Sequence, residues 1–313
     1  MAQVHLSEGT ILDERYRLDG VLGAGGYGIT YRATDTRLDR PVAVKEYFPC
    51  YCALRLDDWG ADVRCTNGCE GDFLKGMDRF YEEARHLAQL SGLIHVVNVN
   101  DYFKENSTAY MVMDFVEGKT LKEMTDSFGG RMKPKTLMTM MAPAISALWQ
   151  VHKKGLIHRD LSPDNIMVRF DGSVCLIDFG NARDTTSDKS MTMAMKQGFA
   201  GPEQYSSRGQ GPYTDVYGMC ATMYYCLTGA VPTQALERLT GKPLARPSEL
   251  GVTMDPNQEQ AIMDGLELRI ERRIQNMDAL WKRLYGQSDS PAEVGRQMKA
   301  SLIDRIRSAL KGL

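Results

Sequence analysis

The sequence lacks several features that would assign it to a membrane or to nucleic acid. Nowhere do about eighteen uncharged apolar residues follow one another, the length that a membrane-spanning helix needs. No continuous apolar run of the signal-peptide type is found near the amino terminus. The 38 Lys and Arg nearly balance 40 Asp and Glu, and the net charge of −2 gives no general attraction to nucleic acid. We expect a protein that binds no nucleic acid.

The number of cysteines is odd: seven residues in 313. On a chain without a recognisable export signal, this favours reduced thiols and a cytoplasmic location over a disulfide framework. The chain is long enough for one large domain or two lobes, and 43% hydrophobic and 25% charged residues are typical of a globular protein.

The amino-terminal part has the pattern of a β-sheet. The runs RYRLDGVLG, GITYRATD and PVAVKEYF are separated by turns rich in Gly and Asp, which predicts an antiparallel meander. Apolar residues at helical spacing predict a helix over residues 78–91. Two further strands are predicted around residues 96–103 and 109–115.

The later part has helical spacing instead. A stripe of apolar residues predicts a buried helix over residues 134–154, with Pro134 in its first turn and a bend at Pro143. Residues 215–228 and 256–285 are also predicted to be helical. The fold class is therefore α+β, a β-rich lobe followed by a helical lobe, with a boundary near residue 117.

A glycine-rich stretch, LGAGGYGIT, occupies residues 22–30. Its GxGxxG spacing also occurs in dinucleotide-binding turns, but those lead from a strand into a helix, whereas GITYRAT continues as a strand. The glycines then permit a hairpin whose backbone N–H groups lie close to phosphates. The alternative is a plain flexible hairpin.

The next strand carries VAVKE at residues 42–46. Strand alternation places Ala43 and Lys45 on one face, where the small residue leaves room for a flat base and the ammonium reaches phosphates. The alternative is a solvated surface lysine.

Two polar motifs follow in the helical part, HRDLSPDN at 158–165 and Asp-Phe-Gly at 178–180. Phosphoryl transfer needs an acceptor for the hydroxyl proton, which suits Asp160, and oxygen ligands for Mg²⁺, which suit Asn165 and Asp178. The intervening Asp171-Gly172 is a type I′ hairpin signal. We expect this hairpin to hold the three polar groups in one cleft.

Taken in order, these motifs resemble those of eukaryotic-type serine/threonine protein kinases, and HRDLSPDN with KQGFAGPEQY is similar to a bacterial (Hanks-type) branch. The resemblance implies a bilobal fold, use of ATP with Mg²⁺ or alternatively Mn²⁺, and transfer of the γ-phosphoryl group to Ser or Thr of a protein substrate, including the chain's own activation segment. The segments it implies are a lead-in at 1–13 and a kinase domain at 14–286, with an N-lobe at 14–116, an insertion at about 48–74 and a C-lobe at 117–286.

Two rival functions stay open. One is a pseudokinase that binds nucleotide and scaffolds partners. The other is a small-molecule kinase, which shares the catalytic-loop elements but does not need the long activation segment that serves peptide docking.

The resemblance also implies roles for individual residues. Lys45 would bind the α- and β-phosphates and pair with Glu83, which lies on the apolar side of its helix, whereas its rival Glu82 lies among polar residues. Asp114 and Val116 would offer backbone groups to the base. The implied nucleotide positions are Leu22, Gly23, Gly25, Gly26, Gly28, Thr30, Ala43, Lys45, Met113, Asp114, Val116, Met167 and Asp178.

Other implied features concern protein substrates. Glu203, in a GPE triplet where the family usually has APE, would pair with Arg273 or Arg272. Asp215 would anchor the catalytic-loop backbone, and Arg159 would be neutralised by a phosphate on the activation segment. The candidate phosphorylation sites are Thr185, Thr186, Ser187, Ser190 and Thr192.

One family residue is missing. The position two residues after Asp160, usually a lysine that contacts the γ-phosphate, is Ser162; seven residues before Glu203, where the family has a threonine, stands Lys196. The two residue types are exchanged between partners of one expected contact. We hypothesise that Lys196 reaches Asp160 and the γ-phosphate, with Ser162 as a polar neighbour; the alternative is an exposed lysine beside a disabled site.

Two segments depart from the family. The insertion carries Cys50, Cys52, Cys65 and Cys69, whose C-x-C…C-x₃-C spacing invites a structural Zn²⁺, with apolar filling as the alternative. The tail at 287–313 has an apolar residue every four positions among basic ones, which predicts an amphipathic basic helix. It would pack on the kinase domain or on a second copy in a homodimer, with membrane contact as the alternative.

Overall fold

The computed structural model describes residues 5–55, 60–66, 68–179, 183–184 (backbone alone), 196–205, 209–286 and 291. The chain forms two compact units. One comprises Met1–Gly92 and Val97–Phe115; the other comprises Leu93–Val96 and Val116–Leu313.

The first unit is built on a six-stranded antiparallel sheet, as the alternating runs predict. Its strands are β1 (Ile11–Leu12), β2 (Tyr16–Ala24), β3 (Gly28–Asp35), β4 (Arg40–Tyr47), β7 (Val99–Glu105) and β8 (Thr108–Asp114), in the order β1-β2-β3-β4-β8-β7. The two-residue period is plain in β3, where Ile29, Tyr31 and Ala33 are buried and Arg32 is exposed. Long-range pairing of β4 with β8 joins the meander to the later hairpin.

Helix α1 (Glu70–Ala88) packs on β7 and β8. The predicted start at residue 78 was wrong, because the buried stripe begins with Phe73, two turns before Phe80. Glu70 and Asp72 in the first turn complement the positive end of the helix dipole. The insertion before it is a structured element, a short hairpin of β5 (Ala53–Leu54) and β6 (Arg64–Cys65).

The second unit is mainly helical. Its helices are α2 (Leu121–Ser127), α3 (Pro134–Lys153), α4 (Pro212–Thr228), α5 (Ala235–Leu239), α6 (Pro256–Gly265) and α7 (Met277–Tyr285). The helix predicted over 134–154 is confirmed as α3, with Pro134 at its start and Pro143 inside. The segment predicted to be helical over 256–285 contains two helices, because Asn276 caps a new one by accepting a hydrogen bond from the Ala279 N–H at 2.9 Å.

Small strands hold the functional loops of this unit. They are β9 (Gly118–Thr120), β10 (Leu156–Ile157), β11 (Ile166–Arg169), β12 (Val174–Leu176) and β13 (Arg183–Asp184), with β12-β11-β9 forming one sheet and β10-β13 another.

The predicted hairpin around Asp171 is present, but its predicted turn type was wrong. Of Asp171 and Gly172 only the glycine has a positive φ, +84°, and a type I′ turn needs both. The Gly172 N–H donates to Arg169 O at 2.8 Å and the Arg169 N–H to Ser173 O at 2.8 Å, the pattern of a type I turn followed by a bulge at glycine.

Within the described ranges, no helix has both the length and the hydropathy to cross a bilayer.

Candidate active site

The glycine-rich loop joins β2 and β3 in the sheet unit. The Gly25 N–H donates to Gly28 O at 2.8 Å and closes the turn. A Cβ at Gly28 would lie 2.5 Å from Glu46 O, so glycine is required there for the close approach of β4. Cβ atoms at Gly23 and Gly26 would meet nothing within 4 Å. The loop therefore has open space over its backbone, where a phosphate would fit.

Lys45 lies in the middle of β4, paired in register with Thr30 on β3 and Met111 on β8. Ala43, two residues earlier, is buried, and Lys45 is half-buried. On α1, Glu83 is buried and Glu82 is exposed, which agrees with the choice of Glu83. The Lys45–Glu83 pair itself stays a prediction.

The positions implied for the nucleotide base lie in both units. In the sheet unit Met113 is buried at the end of β8, and the Asp114 carboxylate accepts hydrogen bonds from Asn98 Nδ2 and Asn100 Nδ2, both at 2.8 Å. Leu22 is exposed on β2. In the helical unit Val116 is buried and Met167 is half-buried on β11.

The catalytic loop is anchored as the resemblance implies. The carboxylate of Asp215, buried on α4, accepts hydrogen bonds from the backbone N–H groups of His158 and Arg159, both at 2.8 Å, and lies 2.7 Å from His152 Nε2. Burial alone would raise the pKa of Asp215, but the bonds from His152 and His158 lower it below its ordinary value. A charged anchor thus fixes the loop from the centre of the helical unit.

Asp160 is held within this loop. Asn165 Nδ2 donates to Asp160 O at 2.7 Å and to Asp160 Oδ2 at 3.0 Å. Burial, followed by the neighbouring Asp178 carboxylate, raises the pKa of Asp160 above its ordinary value; His158 and Lys196 act in the opposite direction. A carboxylate of raised pKa at a fixed position is suited to accept a proton.

Backbone strain concentrates at this site. Arg159 and Asp178 have φ values of +68° and +54°, in the left-handed region that non-glycine residues seldom adopt. Phe179 is fully buried next to Asp178, with its ring centroid 4.2 Å from that of His158. Packing and the Asp215 anchor over-determine a conformation that places Asp160 and Asp178 near each other.

The donor set fits a hard divalent cation. Both side-chain hydrogen bonds of Asn165 use its amide nitrogen, so its amide oxygen is available as a ligand. Asp178 supplies a carboxylate close enough to Asp160 to raise its pKa. Amide and carboxylate oxygens are the ligands that Mg²⁺ prefers.

The exchanged residues meet. Lys196 Nζ donates to Ser162 Oγ at 3.0 Å and forms an ion pair with Asp164. The predicted link to Ser162 is present, but the direct partner carboxylate is Asp164 rather than the hypothesised Asp160, which Lys196 influences through charge alone. The sequence analysis did not predict Asp164, because the family pattern assigns no role to this position. Its place two residues after Ser162 was the only indication that it lies near Lys196.

The GPE triplet is held by a buried ion pair. Arg273 Nη1 and Nη2 donate to the two Glu203 carboxylate oxygens at 2.6 and 3.0 Å, which decides between Arg273 and Arg272. A Cβ at Gly201 would lie 2.7 Å from a Glu203 oxygen, so glycine replaces the usual alanine here. Gln204, which the sequence did not single out, donates to Arg159 O at 2.7 Å and ties the triplet to the catalytic loop.

The zinc hypothesis for the insertion is not supported. Within the described part of the chain, no group of three or more His, Cys, Asp or Glu side chains is placed to hold a metal. Cys52 is buried while Cys50 is exposed. Burial raises the pKa of the Cys65 thiol to about 11.

Several predictions fall on residues that the structure does not describe. The tail helix and all five candidate phosphorylation sites of the activation segment lie outside the described residues, as does Gly180 of the Asp-Phe-Gly motif.

The chain is similar to known proteins in sequence and in fold. A model of the protein kinase domain matches residues 16–247. The chain is 31% identical over 262 residues to serine/threonine-protein kinase PknL of Mycobacterium tuberculosis, covering 83% of this chain and 59% of the relative. It is 32% identical over 230 residues to a probable serine/threonine-protein kinase PknB of Corynebacterium glutamicum, covering 71% of this chain and 32% of the relative.

A solved structure, PpkA-294 in its apo form, has a TM-score of 0.79 and 30% identity, and the match covers 90% of this chain and 100% of that one. The matched part of the chain spans 59% of the length of the PknL relative and 32% of the length of the PknB relative.

Proposed function

Because the chain belongs to the protein kinase family, we propose that it transfers the γ-phosphoryl group of ATP to serine or threonine hydroxyls of a protein substrate. The observation that carries the proposal is the anchored catalytic loop: Asp215 holds its backbone and Asn165 holds Asp160 at a fixed position. Asp160 accepts the proton of the attacking hydroxyl and orients its oxygen. Little covalent work is left to the protein, since positioning and charge stabilisation dominate this reaction.

Asn165 and Asp178 would hold Mg²⁺, with Mn²⁺ as an alternative, through the amide and carboxylate oxygens described above. A cation bound there would neutralise the negative charge that develops on the phosphoryl oxygens. Lys45, positioned by its partner Glu83, binds the α- and β-phosphates, and the backbone of Gly23, Gly25 and Gly26 binds phosphate oxygens. Family membership and the open space above the glycines support these assignments.

The base is bound by Ala43, Met113, Met167 and Leu22 as apolar surfaces and by the backbone of Asp114 and Val116. Thr30, in register with Lys45, and Gly28 complete the phosphate side. Their match to the family motifs supports these roles.

The substrate is a protein, including the chain's own activation segment. The Glu203–Arg273 pair and the tie from Gln204 to Arg159 O support this, because they fix the segment on which peptide substrates dock. Seven free thiols support the cytosol as the location. The basic tail would pack on the kinase domain or on a second copy of the chain, and contact with a membrane surface is the alternative.

Intact mass after incubation with Mg·ATP tests the proposal. The wild-type protein should gain 80 Da increments, about the mass of one phosphoryl group, and Asp160→Asn should not. Asp278→Asn, an aspartate in an exposed ion pair on α7, is the matched control and should behave as wild type. Absence of any increment, together with thermal stabilisation by nucleotide, would replace the kinase with the pseudokinase.

The pH profile gives a second reading of Asp160. Only the carboxylate accepts the proton, so kcat/KM should fall as pH drops through the raised pKa of Asp160, on a limb above its ordinary value of 3.8. A flat profile down to that value would remove Asp160 from this role.

A further inference from the structure

We propose that Lys196, on the segment leading into the GPE triplet, is a catalytic residue: its ammonium supplies the γ-phosphate with the cation that the catalytic loop lacks at Ser162. The proposal rests on the proposed kinase function and adds the source of one transition-state charge.

The loop around Asp160 is rich in negative charge. Asp160 and Asp164 lie on it, and Asp178 is close enough to Asp160 to raise its pKa. A terminal phosphate brings further negative charge to the same place, and a fixed cation is worth most where charge develops in the transition state. Ser162, the family's usual cation position, is uncharged.

The geometry puts an ammonium at that position from another segment. Ser162 is fully buried, and Lys196 Nζ lies 3.0 Å from its Oγ. A lysine side chain growing from position 162 would have to occupy the volume that the Lys196 ammonium approaches. The small Ser162 side chain therefore leaves room for the Lys196 ammonium and accepts a hydrogen bond from it.

The ion pair between Lys196 and Asp164 is weak enough for a phosphate to replace it. Side chains of Lys196 and Asp164 are both 37% exposed, and ion pairs at such exposure contribute little because water screens them. A phosphate with more than one negative charge competes well with one screened carboxylate. Asp164 thus keeps the Lys196 ammonium beside the catalytic loop until a phosphate binds.

The exchange makes the cation depend on the activation segment. A lysine at position 162 would be fixed by the loop's own anchor, Asp215. Lys196 instead arrives with a segment held by Glu203 and Arg273 and by the bond from Gln204 to Arg159 O. Catalysis then requires this segment to be in place, which couples phosphoryl transfer to whatever positions it.

The rival explanation is a tether, in which Lys196 merely fastens the segment to Asp164. The two explanations differ in which variants fail together. A tether loses the same activity when either partner is removed, whereas a cation donor loses far more from Lys196→Thr than from Asp164→Asn.

The experiment compares four variants of the whole chain in steady-state kinetics with Mg·ATP: Lys196→Thr, Asp164→Asn, the double variant Lys196→Thr/Ser162→Lys, and Lys242→Thr. Lys196→Thr should lower kcat about 10²–10³-fold, the usual loss for one transition-state charge donor, with a smaller change in KM. Adding Ser162→Lys to Lys196→Thr should recover at least about tenfold, because the ammonium returns from the loop side. Lys242→Thr, which removes a lysine from another exposed ion pair, is the matched control and should keep the wild-type rate.

Nucleotide affinity also separates the two explanations, because loss of a tether would not change the affinity for the γ-phosphate. Lys196→Thr should weaken binding of a non-hydrolysable ATP analogue more than binding of ADP, since only the former carries the γ-phosphate. Lys196→Gln, which keeps the length and polarity of the side chain, replaces Lys196→Thr if the latter melts early.

Equal losses in Lys196→Thr and Asp164→Asn, with no recovery in the double variant, would overturn the proposal. A wild-type protein that binds ATP without transferring phosphate would refute the proposed function instead, while the comparison of ATP analogue with ADP would still decide whether Lys196 reads the γ-phosphate.

Discussion

The two units each bury one arginine–glutamate pair, and the pairs differ in how they are supported. In the helical unit Arg273 and Glu203 have side-chain exposures of 0% and 3%; in the sheet unit Arg55 and Glu46 have 4% and 0%. Both arginines meet their carboxylate with both terminal nitrogens, and Arg273 donates further to Glu267 O at 2.8 Å. The Glu46 carboxylate is shared with two tyrosines.

The contacts of Glu46 in the sheet unit show that the insertion contributes to the core of this unit. Glu46 follows Lys45 on β4, and its carboxylate accepts hydrogen bonds from Tyr31 and Tyr110, both at 2.8 Å, besides its ion pair with Arg55. Arg55 comes from the insertion and also donates to Ala61 O at 2.9 Å. The insertion therefore supplies a core residue to the strand that carries Lys45.

Glu46 depends on its arginine for only part of its hydrogen bonding, because two tyrosines also donate to its carboxylate. A buried carboxylate with several donors keeps part of its stabilisation when one is lost. The following changes test this difference.

The largest loss of stability is expected from Arg273→Met. It leaves the Glu203 carboxylate buried without its guanidinium, a change that costs about 3–5 kcal/mol. Urea denaturation should show a lower midpoint with an unchanged slope. A loss under about 1 kcal/mol would mean that Glu203 finds other compensation and that this pair is not structural.

Arg55→Met should come second, at about 2–3 kcal/mol, because Glu46 keeps its two tyrosine donors. The same urea titration measures it. We also expect KM for ATP to rise, since Glu46 adjoins Lys45 on β4. If Arg55→Met is as costly as Arg273→Met, the tyrosines contribute nothing and the comparison between the pairs fails.

Tyr110→Phe removes one donor and keeps the packing, so it should cost about 1–1.5 kcal/mol. Combined with Arg55→Met, it should cost more than the sum of the two, because Glu46 then loses two of its partners at once. Strict additivity would show that the network is a set of independent contacts. Thermal denaturation of the single and double variants decides between these outcomes.

The smallest effect is expected from Lys282→Ala. Lys282 pairs with Asp278 one turn away on α7, at 2.6 Å but with side-chain exposures of 54% and 39%. Such pairs contribute about 0.3–0.5 kcal/mol. The loss should shrink further in high salt, and a loss comparable to that of Arg55→Met would contradict the role given to burial.

Local pattern was enough where spacing or family motif carried the information. The alternation in GITYRATD predicted β3, the 3–4 stripe after Pro134 predicted α3, and the match to the family pattern predicted the Glu203–Arg273 pair. The roles of Asp160, Asn165 and Asp178 stay predictions. The same patterns misplaced the start of α1, because one buried phenylalanine preceded the recognisable stripe, and merged α6 with α7, because a capping asparagine interrupts an otherwise continuous pattern.

The contacts between distant segments were beyond such reasoning. Nothing in the local pattern of VAVKEYF marks Glu46 as buried, and nothing in the insertion marks Arg55 as its partner. The spacing before Glu203 predicts Lys196 but not its ion pair with Asp164. Burial and partnership depend on which chain segments meet, and residue type at one position does not encode this.

The sequence by itself determined the order of strands and helices, the family and the identity of the polar groups at the catalytic loop, since periodicity and motif spacing are properties of neighbouring residues. Only the tertiary structure decided which carboxylates are buried, that Arg55 serves Glu46, and that Lys196 rests on Ser162 beside Asp164. Desolvation and charge pairing arise when remote segments pack together, so their energies are set by the fold rather than by any local run of residues.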